Sequence, residues 1–168
     1  MNKEIILDPN KEILSTTDKT GVIIDTNDYF CEISGFTEDE LIGADHNIIR
    51  HPDMPKAIFR LMWTALLKDK TNFKGVIKNL AKDNDYYWVI TDFEFEDIDG
   101  EIIYTAKRTN PKRKLIERID YIYKRMKEIE EEYKNDNPIK HSLKFLEDII
   151  RASGYKDYNE FIEYLTKE

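Results

Sequence analysis

Two of the chain's three histidines, an arginine, an acid and two prolines fall within ten residues, His46-Asn47-Ile48-Ile49-Arg50-His51-Pro52-Asp53-Met54-Pro55. Imidazole and guanidinium groups donate to phosphate, carboxylate or the oxygen-rich edge of a cofactor ring. The two prolines limit any helix through this stretch. A short helix or turn followed by a bend is expected, with the polar groups held in place. Packing alone gives little reason to gather such donors on an irregular segment.

The elements that must position this segment are legible on both sides. Residues 12 to 18 read as a strand, Lys19-Thr20-Gly21 as a turn and Val22 to Thr26 as a second strand. Asn27-Asp28 offers an N-cap for a short helix that Gly35 ends. Thr37-Glu38-Asp39-Glu40 is a capping box opening another short helix. A longer helix starts near Met54-Pro55, with Ile58, Leu61, Met62, Ala65 and Leu66 on one apolar face. Three strands follow, over residues 73–80, 86–96 and 101–108, turning at Asp83-Asn84-Asp85 and at Asp97-Ile98-Asp99-Gly100.

The pattern H-N-x-x-R-H-P-D-M-P resembles the flavin-binding PAS domains of Aer-type energy-taxis sensors. Trp63, the run Phe73 to Asn79, and Asp85-Tyr86-Tyr87-Trp88-Val89 continue the resemblance downstream. Thr26-Asn27-Asp28-Tyr29-Phe30 and Ser34-Gly35-Phe36 continue it upstream. It spans about residues 12 to 110, and the order of elements agrees with it. The implied class is α+β: a PAS fold, with a five-stranded antiparallel sheet and flanking short helices, followed by C-terminal helices. The resulting division is an N-terminal segment 1–11, a PAS sensor domain 12–110, an amphipathic helix 111–134 and a helical hairpin 135–168.

The resemblance implies FAD between sheet and helices, with Asn27, His46, Arg50, His51, Asp53, Trp63 and Asn79 as the cofactor-binding set. Asn27 and Asn79 can both donate to and accept from a ring edge. Arg50 and His51 suit phosphate or ring oxygens, and Asp53 can orient either of them or cap the following helix. His46 also reads as a core histidine satisfied by a backbone carbonyl. Trp63 is the candidate for stacking on a cofactor ring, with a core tryptophan as its alternative. Where relatives carry tryptophan before the x-Gly-x-Val-Lys-Asn strand, this chain has Phe73, which lacks the indole donor and implies weaker cofactor affinity.

Leu115, Ile119, Ile122, Met126, Ile129 and Tyr133 form a heptad seam. It suits a coiled coil or a helix docked on its own sheet, and both readings stand. Glu128 and Glu130 to Glu132 read as a solvated face. The −8 net charge lies wholly in residues 1 to 110, which hold 13 Lys/Arg against 21 Asp/Glu. That balance argues against nucleic acid or an anionic membrane surface as a partner of the N-terminal domain. The single cysteine, Cys31, excludes an internal disulfide. No apolar run is long enough for a membrane span, and a cytoplasmic location is expected. No Gly-rich phosphate loop, metal cluster or nucleophile–base pair suggests an enzyme.

The expectation is a soluble redox sensor, of the two-protein kind exemplified by CetB. It would act as a homodimer with a membrane-bound chemoreceptor-like transducer or a signalling kinase. The rivals are a haem-binding PAS domain, with His46 or His51 on iron, and a cofactor-free PAS module for dimerisation.

Overall fold

A computed structural model of the protein describes residues 2–168. Five strands form one antiparallel sheet in the order β2-β1-β5-β4-β3: β1 (Ile13–Asp18), β2 (Ile23–Thr26), β3 (Phe73–Leu80), β4 (Tyr86–Ile98) and β5 (Glu101–Thr109). The β4–β5 hairpin turns through Asp99 and Gly100, both at positive φ, a geometry that matches the twist of the flanking strands.

Between β2 and β3 the chain crosses the sheet through short elements. The α1 helix (Asp28–Ser34) is capped by Asn27, and α2 (Glu38–Leu41) by the Thr37–Glu40 capping box. A 3-10 turn over His46–Ile49 carries the front of the polar motif, and Asp45 caps it. The α3 helix (Lys56–Trp63) has Pro55 as its N-cap residue, then widens into a π-helical turn over Thr64–Asp69. Proline at that position leaves the first N–H groups of α3 without a cap of their own.

The C-terminal third is three helices, α4 (Arg113–Glu132), α5 (Pro138–Ala152) and α6 (Tyr158–Lys167). The seam residues Leu115, Ile119, Ile122, Met126 and Ile129 are all buried within the protein, and most of them join the same core as the sheet. Tyr133, at the seam's end, is exposed and stacks on His141 at 3.8 Å between ring centroids. Glu130 departs from the expected solvated face. It is buried, and its carboxylate accepts from Lys56 N–H and Ala57 N–H, each at 3.0 Å. A side chain of α4 thus caps α3.

Helices α4 and α6 also close the β3 edge. Asn159 Oδ1 accepts from Lys74 N–H and the Tyr158 hydroxyl from Val76 N–H, while the Tyr123 hydroxyl donates to the Val76 carbonyl. Met54 Sδ accepts from Lys78 N–H, and Arg50 bridges to Asn79. Strand groups that would otherwise face solvent are satisfied within the chain. Phe73 belongs to this zone. Its ring stacks on Tyr158, with centroids 5.7 Å apart, and lies over Gly75, where a Cβ would come within 2.7 Å of it. Phe73 does not line the cavity described below, so it bears on α6 packing rather than on contact with a ligand there.

Candidate functional site

The inner face of the sheet and the crossing helices enclose a cavity of about 310 Å³, at the small end of ligand pockets, which run from about 300 to 1,000 Å³. One wall is polar, with His46, Asn47, Arg50, Asn79, Thr91 and Arg108. Most of the rest of the lining is apolar and aromatic: Phe59, Met62, Trp63 and Leu66 come from α3 and its π-helical turn, and Phe93 and Tyr104 from the same sheet face as Thr91 and Arg108. Met62, Trp63 and Leu66 straddle the junction of α3 with its π-helical turn. Such a turn re-aims side chains that a continuous α-helix would place elsewhere. Trp63 lies edge-on to Tyr104, and its indole tip sits against Gly21. Gly21, at φ +88° in the β1–β2 turn, gives a backbone conformation and a surface that a side chain would spoil.

Arg108 dominates the polar wall. It is 1 % exposed, yet no carboxylate pairs with it among the described residues. Its Nη1 donates to Ser15 Oγ at 3.0 Å and its Nη2 to His46 Nε2 at 2.6 Å. The rings of Phe30 and Phe93 flank the guanidinium at 5.3 and 6.0 Å. Burial depresses the Arg108 pKa to about 10, against a small opposing effect of the Tyr87 hydroxyl.

His46 is half-buried and lines the cavity. Burial first, and then the Arg108 charge, push its pKa down to about 3. It is therefore neutral at physiological pH, and the contact with Arg108 makes Nε2 the acceptor and leaves the proton on Nδ1. A backbone hydrogen bond from its own residue also acts on the ring and partly offsets the fall, so the guanidinium adds to the expected backbone partner.

Two further donors face the cavity from the sheet. Asn79 Nδ2 and Thr91 Oγ1 are buried without a hydrogen-bond partner among the described residues. The Tyr87 hydroxyl lies beside the Asn79 amide without a well-formed bond, and burial raises its pKa. Buried polar atoms left this way are costly, and several along one cavity wall mark where a ligand would satisfy them.

At the mouth, Arg50 is exposed and its guanidinium stacks on Phe59 at 3.8 Å, with Asp45 the nearest counter-charge acting on it.

Four of the seven residues expected at the site, His46, Arg50, Trp63 and Asn79, line the cavity. The other three lie outside its lining, and their side chains are engaged in local structure. Asn27 spends its side chain on the backbone: Oδ1 accepts from Leu14 N–H and Phe30 N–H, and Nδ2 donates to the Glu12 carbonyl. His51 is buried with its ring edge against Tyr86, and its Nδ1 accepts from Asp53 N–H at 3.0 Å. Burial and the nearby Lys78 lower its pKa. Asp53 pairs with Lys78 at 2.7 Å, and that bond lowers its pKa. Asp53 does not cap α3; Glu130 does.

Arg108, Thr91, Tyr104 and Phe59 were not singled out from the sequence. The available signal for Arg108 was its place in the inward alternation with Tyr104 and Ala106 along β5. Among the described residues no His/Cys/Asp/Glu cluster could hold a metal ion, and no helix is long and apolar enough to cross a membrane.

Known proteins converge on the same region. A family model described as the PAS fold matches residues 23–108. The aerotaxis receptor of Escherichia coli K12 is 40% identical over 113 residues, covering 67% of this chain and 22% of the receptor. The bacterioopsin transcriptional activator of Halobacterium salinarum is 31% identical over 91 residues, 54% of this chain and 13% of that protein. The chain thus spans less than a quarter of the length of either relative. A solved light-oxygen-voltage domain, reported with a flavin analogue, superposes with a TM-score of 0.57 at 14% identity, covering 65% of this chain and 84% of its own. The dark-state LOV domain of the photoreceptor Aureochrome1 gives 0.54 at 13% identity, covering 61% and 77%. The family model covers half of the chain and most of the five-stranded sheet with its crossing helices, and the chain belongs to the PAS family.

Proposed function

We propose that the cavity binds the flavin ring of FAD and that the protein is a redox sensor. The observation that carries this reading is the buried Arg108 charge without a carboxylate, together with the unpartnered Asn79 Nδ2 and Thr91 Oγ1, on one cavity whose remaining lining is largely apolar. A flavin ring has that division, with carbonyl and nitrogen acceptors at one end and methyl groups at the other. The 40% identity to an aerotaxis receptor supports the same assignment.

The residues present fit the group. Asn79, Thr91 and Arg108 would hold the polar end, with neutral His46 keeping Arg108 aimed inward. Met62, Leu66 and Trp63 would hold the apolar end and exclude water. In this reading the ring portion occupies the cavity and the phosphates lie at the mouth, where Arg50 and Asn47 stand. The bound ring supplies reversible uptake of electrons and protons, which changes its charge and which of its nitrogens accept hydrogen bonds. Asn79 can answer by rotating its amide, since that side chain both donates and accepts.

Two routes lead outward. Asn79 sits on β3, whose edge is tied to Tyr123, Tyr158 and Asn159 of the terminal helices. Arg108 lies at the end of β5, just before α4. A coupling of about 1–3 kcal/mol suffices for a signal. In this reading a membrane-bound chemoreceptor-like transducer or a signalling kinase receives it in the cytoplasm from a homodimer, and the chain has no catalytic role.

A haem reading is weaker. His46 Nε2 is taken by Arg108, and His51 faces Tyr86 away from the cavity. A flavin–cysteine adduct is disfavoured because Cys31 is not in the cavity wall.

The deciding experiment is the absorption spectrum of freshly purified protein with identification of the chromophore released on heating. Flavin bands that bleach with dithionite and return in air, with FAD as the released compound, are expected. A Soret band would replace the reading with haem. No chromophore after reconstitution with FAD would leave a cofactor-free interaction module.

A further inference from the structure

Arg108 is a cation enclosed by neutral groups. Ser15 faces it from β1, His46 from the 3-10 turn, and Tyr87 from β4, with the Phe30 and Phe93 rings at its sides. The nearest charged groups on the wall are Arg50 and Asp45 at the mouth. Folding a guanidinium into such a place is costly unless a negative charge joins it. Hydrogen bonds to Ser15 and His46 use only part of its five-donor fork.

We propose that Arg108 is the counter-charge for the reduced form of the bound ring, which the protein therefore holds as an anion. This rests on the flavin reading. Two electrons and one proton added to a neutral ring leave one negative charge, and a second proton would cancel it. The surroundings of Arg108 discourage that second proton. His46 carries none on Nε2, which is occupied as an acceptor, and its low pKa keeps it from becoming an acid here. Tyr87 holds its own proton more tightly than usual. The charge of Arg108 lowers the ring's affinity for the proton as it stabilises the anion. Arg108 is thus a positioning and tuning residue: it sets how many protons accompany each electron pair, and so how the sensor's threshold varies with pH.

The test is a redox titration of the flavin-loaded full chain. Dithionite is the reductant, and free FAD is measured in the same buffers across a pH series. The expected result is fewer protons taken up per electron pair by the protein than by free FAD at the acid end of the series. Arg108→Gln keeps polar contacts but loses the charge; it should restore the proton uptake of free FAD and lower the midpoint potential. Arg108→Lys should stay near wild type. Without FAD, Arg108→Gln should melt above wild type, and with FAD bound and reduced the order should reverse. Wild-type proton uptake equal to that of free FAD would overturn the proposal while leaving flavin binding intact, as would an unchanged midpoint and pH slope in Arg108→Gln. If Arg108→Gln loses FAD, the wild-type titration still decides. Wild-type protein that takes up no FAD would sink both the proposal and the reading beneath it.

Discussion

Glu130 of α4 accepts the Ala57 N–H of α3 at 3.0 Å across 73 residues of sequence, and the Lys56 N–H with its other carboxylate oxygen. The helix that carries Met62 and Trp63 into the cavity is therefore anchored by the helix that leaves the sheet. An N-terminal helix end favours a carboxylate for its unpaired N–H groups and for its dipole. Replacing Glu130 with Ala should destabilise the protein by about 1–2 kcal/mol, the usual cost of losing a helix cap. Urea denaturation measures it, and a midpoint unchanged from wild type would show that α3 needs no anchor.

His46 makes stability depend on pH. Its folded pKa of about 3 lies well below the value of about 6.5 expected in the unfolded chain. Above the unfolded value neither state binds the proton, and the histidine contributes no dependence. As pH falls from there towards the folded pKa, the unfolded state alone gains a proton, so stability is lost. The loss reaches at most about 5 kcal/mol near the lower limit. His51 shifts in the same direction, and Asp53 adds its own acid loss, so the comparison must be differential. His46→Asn should flatten the stability–pH curve relative to wild type between these limits. Parallel curves would mean that His46 titrates as in the unfolded chain.

Asn79 separates folding from binding. Its amide nitrogen is buried and unpaired, so Asn79→Ala should leave the ligand-free protein as stable as wild type or slightly more so. Ligand affinity should fall by about fivefold to tenfold for the loss of one hydrogen bond. FAD titration followed by fluorescence reads the affinity, and thermal melting reads the fold. If Asn79→Asp kept both FAD binding and an unchanged redox response, the amide would not be the signalling contact.

Tyr158 holds α6 to the sheet. Its hydroxyl accepts from Val76 N–H and lies beside the Tyr123 hydroxyl. Tyr158→Phe keeps the stack on Phe73 but strands a buried backbone donor, costing about 1–3 kcal/mol. Hydrogen exchange at Val76 and Lys74 should accelerate in this variant. Unchanged protection there would show that the edge is closed by other means.

Gly75 tests the same zone by size. A Cβ there would meet the Phe73 ring at 2.7 and 3.0 Å and the Tyr158 oxygen at 3.3 Å. Gly75→Ala should cost about 1–3 kcal/mol as overpacking, and truncating Phe73 in the same chain should recover part of it. Additive losses would mean that the two positions do not meet.

The sheet, its turns and the caps at Asn27 and Thr37 were legible because each rests on local chemistry: alternation, turn residues, and short polar side chains before helices. The ten-residue motif was legible as a site, but its members divide in a way spacing cannot show. His46 and Arg50 point to the cavity, whereas His51 and Asp53 fold the bend that aims them. Asn27 shows the same limit: a good capping residue and a good ring partner look identical until its backbone bonds are seen. Arg108 was not picked as a site residue because an arginine beside Lys107 in a strand reads as surface; its burial against Ser15 and His46 depends on contacts distant in sequence. The heptad seam was correctly periodic, and its destination was open because a helix face does not name what it packs on. Glu130 was misread because its partners lie far away in sequence, on a helix whose missing cap was itself inconspicuous.

On the β3 rim of the sheet the Lys74, Val76 and Lys78 N–H groups are already bonded to side chains, and on the opposite rim Ile23 is bonded to Ala44 and Gly43. A strand arriving at β3 would find those donors taken. Recruitment through that rim would have to rest on side chains rather than on backbone pairing.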